Sequence, residues 1–226
     1  MTETESTGRR HTRDDVARTA LRILDDHGLP DLTMRRLASA LDVQPSALYW
    51  HFPNKQTLLA ELADRIVANG RQAPASRAGS TARSEGSAAP TASPAPADIA
   101  APDWMRATRT EAASLRDALL AYRDGAEVVS STFALGLGST DAVDRLASAV
   151  ALGGFDDDTS RRAATALLHF ILGHVSHEQQ RMQYDSIGVL AAGAAVSPLD
   201  EDDPAAAFGF GVDLLVGGLE FSRSRR

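Results

Sequence analysis

The chain has 226 residues, 43% of them hydrophobic, and a formal net charge of −7, enough apolar material for one large or two small cored domains. It contains no cysteine, so disulfides, thiolate metal sites and cysteine nucleophiles are excluded, and its acidic balance argues against indiscriminate coating of nucleic acid. The start is polar from Thr2 to Thr7, and the longest apolar stretch, 187–196, is too short and too rich in Ala and Gly to cross a bilayer; a cytoplasmic protein without membrane contact is expected.

Residues 1–11 read as a flexible arm in which Arg9, Arg10 and His11, with Arg13 just beyond, form a basic cluster. Such an arm either reaches a minor groove or phosphates or is simply a solvated tail. Thr12 can cap a first helix that ends at Gly28, with Asp15 in its first turn and Val16, Ala20, Ile23 and Leu24 as its buried stripe. Over 32–55 the spacing predicts two short helices around a tight turn. Met34, Leu37, Ala38 and Leu41 form one apolar stripe, and Ala38 is small enough for a second helix to cross it. Asp42 falls where the chain must turn sharply; Asp tolerates a left-handed backbone, although Gly would be easier. Pro45 suits a first helical turn. This is the pattern of a helix-turn-helix, which places side chains in the DNA major groove. From Thr33 to Lys55, the only lysine, there are three basic residues and one acidic, a locally positive face on an acidic body. Asn54 can cap a further helix carrying Leu58, Leu59, Leu62 and Ile66, which completes a head over 12–70.

Residues 71–101 are almost entirely Ala, Ser, Pro, Gly and Thr, with Ile99 the one large aliphatic, and read as a disordered insertion. Helical spacing resumes at Trp104 with Leu115, Leu119 and Tyr122, breaks at Gly125, and returns with Val143, Leu146 and Val150 before Gly153-Gly154. Asp156 to Asp158 open the next helix, whose run 167–175 is apolar almost all round and is expected to be buried on several sides. Asp203 can cap, and Pro204 start, a final helix with a Phe208, Val212, Leu215, Leu219 seam. Its Gly209, Gly211, Gly217 and Gly218 each cost about 0.8 to 1 kcal/mol relative to Ala, which close helix approach would explain. With the apolar helix near residue 170, this predicts a four-helix interface between two subunits. No strand-like alternation is present, so the chain is expected to be all-α.

The head resembles the tetracycline-repressor (TetR) family through Leu32-Thr33-x-Arg35 and Leu48-Tyr49-Trp50-His51-Phe52-x-Asn54-Lys55. The rest resembles the core of the tetracycline-repressor type through Trp104, Ala118-Leu119-Leu120-x-x-Arg123-Asp124-Gly125-Ala126, His169-Phe170-x-Leu172-Gly173, Phe208-x-Phe210-Gly211 and Gly218-Leu219-Glu220. The resemblance implies a three-helix helix-turn-helix head on a C-terminal ligand-binding and dimerisation core over 102–226. It also implies an Ω-shaped homodimer that represses transcription from a palindromic double-stranded DNA operator until a small molecule enters that core. It places DNA contacts on Arg35, Gln44, Pro45, Ser46, Ala47, Tyr49, Trp50, His51 and Lys55, with Thr33 capping onto phosphate. Arg35 can pair with guanine and Gln44 can read a base edge; Pro45 and Ala47 offer apolar contact. Tyr49, His51 and Lys55 suit phosphates. Trp50 reads either as a DNA contact or as a packing aromatic between helices.

The tetracycline-repressor type holds its drug through magnesium bound by a histidine, where this chain has Val129. The glutamate that reaches the metal falls near His177, the drug-gripping polar residues align with Arg71 and Glu111, and Leu115 replaces an aromatic. Magnesium-tetracycline is therefore not the expected effector, and no cofactor or bound metal is expected. The candidate pocket comprises Glu111, Leu115, Val129, Phe133, His169, Phe170, His174 and His177, with Leu135 and Leu137 nearby, for a largely apolar ligand. His174, His177 and Glu178 share a helical face at metal-ligand spacing. Hydrogen bonding to an organic ligand and burial against neighbouring helices are the other readings of the histidines. Gly125 is the candidate lever of the response. Ligand-independent DNA binding and activation remain open. A helical metal-dependent enzyme would lack a nucleophile with an oriented base, and no enzymatic activity is expected.

Overall fold

The computed structural model describes residues 11–69, 103–186 and 203–224. The regular elements in them are all α-helices: α1 (Arg13–His27), α2 (Met34–Ala40), α3 (Pro45–Leu48), α4 (Lys55–Asn69), α5 (Asp103–Leu120), α6 (Gly125–Ala134), α7 (Asp141–Ala151), α8 (Asp157–Ser186) and α9 (Pro204–Arg223). Arg9, Arg10, the 71–101 insertion and the apolar stretch 187–196 lie outside the described residues.

Local chemistry sets most helix ends. Thr12 and Asp15 form a reciprocal capping box on α1: the Thr12 Oγ1 accepts the Asp15 N–H at 3.1 Å, and the Asp15 carboxylate accepts the Thr12 N–H at 2.9 Å. Thr33 caps α2, Asn54 caps α4 through the Thr57 N–H at 2.8 Å, Asp156 caps α8 through the Thr159 N–H at 2.8 Å, and Asp203 caps α9 ahead of Pro204. The α2 C-terminus closes as a Schellman motif, with Val43 N–H donating to Ala38 O at 3.0 Å and Asp42 N–H to Ser39 O at 3.2 Å. Asp42 takes the left-handed position at φ 54°. Pro45 then begins α3 immediately after the turn.

Helix α4 joins the two halves. Leu58 and Leu62 are buried with Val16, Ala20, Leu24, Leu37, Leu48 and Phe52 of the head, and one continuous apolar cluster runs on through Ile66 and Val67 to Leu115, Leu119, Val128 and Leu168. Around α4 the core packs α5, α6 and α7 against α8, with α9 lying on α5 and α8.

Two expectations about the long helices change. Within one protomer helix α8 buries a single face: Ala164, Leu167, Leu168, Ile171, Leu172 and Val175 are buried, whereas Ala166, His169, Gly173 and His177 are exposed on the opposite face. An apolar run without a wet face gives no indication of which side its own chain covers. In α9 the buried seam is Phe208, Val212 and Val216, with Leu219 partly buried, and Leu215 turns outward. A spacing of four from Val212 selects Val216, and both residues are apolar, so composition could not separate them. Gly211 lies against the Phe170 ring, where a Cβ would collide, but Gly209, Gly217 and Gly218 meet nothing within 4 Å in the protomer. The outward side of α9 carries exposed Phe210, Leu214, Leu215 and Phe221. By length and composition α9 is apolar enough to cross a membrane. Asp213 and Glu220 interrupt its run and hid this in the sequence.

Asp42 in the left-handed region of a Schellman turn is strained relative to Gly. Asp42→Gly should stabilise the protein by about 1 kcal/mol and Asp42→Val should destabilise it by at least as much, read as opposite shifts in urea midpoint at unchanged slope.

Candidate nucleic-acid interface and its link to the core

Gln44 is the N-cap of α3 in extended backbone (φ −70°, ψ 141°), and the single turn of α3 is anchored through buried Leu48. This anchor leaves Gln44, Pro45, Ser46, Tyr49 and Trp50 on the surface, with Ala47 and His51 half-buried. Trp50 is 88% exposed, which overturns the reading of it as a packing aromatic; Phe52, fully buried two residues on, fills that role. Tyr49 beside Trp50 is also exposed, so two large rings share one uncovered surface, and contiguous exposed apolar surface marks an interaction site. Arg35 is exposed and, like Gln44, Ser46, Tyr49, Trp50 and Lys55, its side chain has no hydrogen bond or ion pair among the described residues. By contrast, Arg36 is held by Asp31 at 3.0 Å. Thr33 Oγ1 accepts the Arg36 N–H at 3.1 Å, which still leaves its hydroxyl hydrogen to donate.

Several cations elsewhere in the head are neutralised internally, although Arg22 meets only the Thr19 hydroxyl. Arg13 bonds Glu61 at 2.9 Å and the His51 carbonyl at 3.0 Å, and its guanidinium lies 4.3 Å from the Phe52 ring centroid. Arg65 bridges Asp14 at 2.6 Å and Glu61 at 2.8 Å, and Arg18 also pairs with Asp14. The expected basic arm therefore divides. His11 Nε2 donates to the Leu41 carbonyl at 2.9 Å and Arg13 is bound to the head, while Arg9 and Arg10 lie outside the described residues. The network depresses its carboxylates. Hydrogen bonds from Arg65 and Arg18 lower Asp14, and those from the Thr12 backbone and side chain lower Asp15. Burial pushes Glu61 up, but Arg65 and Arg13 outweigh it and leave it lowered.

The head meets the core at a hydrogen-bonded junction. Asp124 is left-handed at φ 56°; its carboxylate accepts the Leu29 N–H of the head at 2.8 Å, 95 residues away, and the Gln183 side-chain N–H at 2.6 Å. Gln179, buried in α8, donates to the Leu119 and Tyr122 carbonyls at 3.0 and 2.8 Å and accepts the Ala126 N–H at 3.2 Å. A Cβ on Gly125 would strike the Leu119 carbonyl, so close backbone approach is what requires glycine there. The sequence analysis missed Asp124, Gln179 and Gln183 as a unit. For Gln179 and Gln183 the signal was a polar pair four residues apart on α8, and for Asp124 its place immediately before Gly125 at the start of α6.

The predicted pocket residues do not converge on one cavity. Leu115 is core, and Glu111 is ion-paired with Arg145. Val129 and Phe133 line a cavity of about 20 Å³ between α4, α6 and α7. Phe133 also meets His169 edge-on at 5.9 Å beside an open groove of about 550 Å³ that includes Leu172 and Ser176. Phe170 stacks on Phe208 of α9 and His174 meets the same ring edge-on, and His174 Nε2 donates to the Pro204 carbonyl at 3.2 Å. His177 is exposed, and Arg71 lies outside the described residues. Glu178, the third member of the candidate metal face, is bound to Arg116 at 2.6 Å. Among the described residues no group of three or more His, Asp or Glu is placed to hold a metal.

Residues 17–62 match the model of bacterial regulatory proteins of the tetR family, and 95–188 match the tetracyclin repressor-like C-terminal domain. Tetracycline repressor protein class C of Escherichia coli is 34% identical over 226 residues, covering 93% of this chain and 91% of the relative. The crystal structure of Mycobacterium smegmatis BioQ is 37% identical with a TM-score of 0.71, covering 92% of this chain and 97% of that one. BioQ with its double-stranded DNA operator gives 36% and 0.62 over 92% and 98% of the two chains. A TetR variant from Acinetobacter baumannii AYE in complex with minocycline is 28% identical with a TM-score of 0.65, over 94% and 98%.

A carboxylate whose folded value is lowered stabilises the fold above its unfolded value and loses that contribution as pH falls through the folded one. With ordinary values of 3.8 for Asp and 4.5 for Glu, the melting temperature should be flat from pH 7 to about 5 and decline below about 4.5. Glu61→Gln should lower the plateau and flatten that decline. Gln179→Ala strands the buried Ala126 N–H and removes the side-chain donor from the Leu119 and Tyr122 carbonyls, which keep the Tyr122 and Gly125 N–H groups, and should cost about 1 to 3 kcal/mol by urea unfolding.

Proposed function

The chain belongs to the tetR family of bacterial regulatory proteins, and from that membership we infer that it is a homodimeric, sequence-specific DNA-binding repressor that leaves a palindromic operator when a small organic molecule occupies its core. The observation that carries the reading of the site is the surface from Gln44 to Trp50, exposed and without side-chain partners, on a helix anchored only through Leu48. Arg35 and Gln44 are assigned to base edges, Pro45 and Ala47 to apolar contact, and Thr33, Ser46, Tyr49, His51 and Lys55 to phosphates, with Trp50 against the sugar-phosphate backbone. We divide the chain into an arm at 1–11, a head at 12–70, an insertion at 71–101 and a ligand-binding and dimerisation core at 102–226.

Two protomers pair through the outward faces of α8 and α9. The open glycines Gly209, Gly217 and Gly218 and exposed Phe210, Leu214 and Phe221 support that choice. Pairing sets the recognition helices about 34 to 36 Å apart, one turn of DNA. Ligand binding shifts the α6 N-terminus at Asp124-Gly125, which is bonded to the head at Leu29, and a coupling of about 1 to 3 kcal/mol weakens operator binding about 5- to 150-fold. The effector is organic and largely apolar rather than a magnesium chelate, the chain acts in the cytoplasm, and we assign it no catalytic activity.

Binding to duplex from the region upstream of its own gene, followed by fluorescence anisotropy and footprinting, tests this reading. Arg35→Ala should lose about 1 to 3 kcal/mol of operator affinity with relaxed specificity at one base. Lys55→Ala should weaken all duplexes similarly and reduce the salt slope by about 1. Trp50→Ala should weaken operator binding while leaving stability within about 0.5 kcal/mol. An unchanged footprint with ligand saturating the core would defeat derepression.

A further inference from the structure

The loop between α6 and α7 is a short flap over the cavity that Val129 and Phe133 line. Helix α6 ends in a second Schellman motif, with Leu137 N–H donating to Thr132 O at 2.9 Å and Gly136 N–H to Phe133 O at 3.0 Å. Gly136 and Gly138 both have positive φ, 65° and 83°, and hold Leu137 between them. The apolar side chains of the flap are poorly covered, Leu135 being 61% and Leu137 40% exposed. Among the described residues one hydrogen bond ties the flap to α4: the Ser139 N–H donates to Asp64 Oδ1 at 2.7 Å. Gly138 permits that approach, because a Cβ there would lie 3.1 Å from the same oxygen.

The cavity beneath is about 20 Å³, room for roughly one water. Its walls are mostly apolar, from Ala63, Val67, Val129, Phe133, Val143 and Leu168. Asp64 is the one ionisable side chain among its lining residues, and no other donor among the described residues reaches that carboxylate. The Thr132 hydroxyl spends its hydrogen on the Val128 and Val129 carbonyls, each at 3.0 Å, so it too offers only lone pairs. The nearby cations are committed elsewhere, Arg65 to Asp14 and Glu61 and Arg145 to Glu111. Asp64 is half-buried, carries the lining's one formal charge and has no cation beside it among the described residues, and the Ser139 hydroxyl can donate or accept, so the lining favours a ligand that brings positive charge with its N–H donors.

We propose that the effector site opens under this flap and takes a compact cation, an alkylammonium group on an apolar body, whose N–H donors draw the Asp64 carboxylate away from the Ser139 N–H. This rests on the reading above that a small molecule releases the operator, and it names that molecule's chemical class. At about 20 Å³ the cavity is too small for such a ligand with the flap down, so binding is confined to the open flap, which is the differential affinity a switch requires. Asp64 stands on α4, whose Leu58 and Leu62 are embedded in the head, so opening the flap acts on the helix that carries the DNA-reading surface.

The full chain is titrated calorimetrically at pH 7 with cyclohexylmethylamine and with its neutral isostere cyclohexylmethanol. The amine should bind at least about tenfold more tightly, and Asp64→Asn should reduce that preference to within about twofold. Equal binding of the two compounds, binding of neither, or a preference that survives in Asp64→Asn overturns the proposal. Hydrogen exchange on the unaltered chain needs no variant: bound amine should accelerate exchange of the Ser139 amide severalfold and bound alcohol should not. An amide as protected with amine as without it overturns the flap opening. Operator anisotropy separates the two readings. Amine bound through Asp64 with the operator retained supports the site and removes the release reading. Release by a neutral compound, with no amine preference, removes the site and leaves release standing.

Discussion

Helix α4 is embedded in two places at once, and the rest of the molecule depends on that constraint. Leu58 and Leu62 belong to the packing of the head, while Ile66 and Val67 belong to that of the core, within one uninterrupted apolar cluster. Close-packed interiors transmit displacement rather than absorb it, so the head cannot reorient unless α4 moves relative to α5, α6 and α7. The polar bonds across the same boundary, among them Asp124 to the Leu29 N–H, Asp25 to the Arg123 N–H, Asp64 to the Ser139 N–H, Arg145 to the Val67 carbonyl and Asn69 to the Tyr122 hydroxyl, are individually worth about 1 to 3 kcal/mol. That combination, stiff packing in the helix and breakable bonds along the boundary it crosses, suits a switch whose two states differ by a few kcal/mol.

Charge is arranged to the same end. The chain is acidic overall, yet the head spends its carboxylates on Arg13, Arg18, Arg36 and Arg65 and leaves Arg35 and Lys55 unpaired next to exposed Tyr49 and Trp50. Internal pairing removes long-range attraction to arbitrary phosphate, while the unpaired cations act within about a Debye length, roughly 8 Å at physiological salt. Recognition then rests on fit at a short site rather than on net charge.

Whatever was local in origin was legible in the sequence. The caps at Thr12, Asn54 and Asp203, the first-turn prolines Pro45 and Pro204, and the left-handed turn at Asp42 are each decided by a few neighbouring residues, and the i, i+3, i+4 stripes are equally local. What escaped was long-range or two-sided. Asp124 and Leu29 are 95 positions apart, and no periodicity joins them. The apolar circumference of α8 concealed which side its own chain covers. The candidate ligand residues share apolar or imidazole character but fall in separate places, because a list drawn by residue type carries no information on which of two faces of α6 each neighbour meets. Phe133 touches both, and Phe170 and His174 are instead packed under α9.

The outward side of α9 ties the lifetime of the fold to how much of the chain a cell makes. A lone protomer would present Phe210, Leu214, Leu215 and Phe221 to water, so mass action between copies supplies part of its cohesion and dilution withdraws it. A freshly synthesised subunit at very low abundance is thus the form most exposed to proteolysis, and accumulation itself protects the later copies.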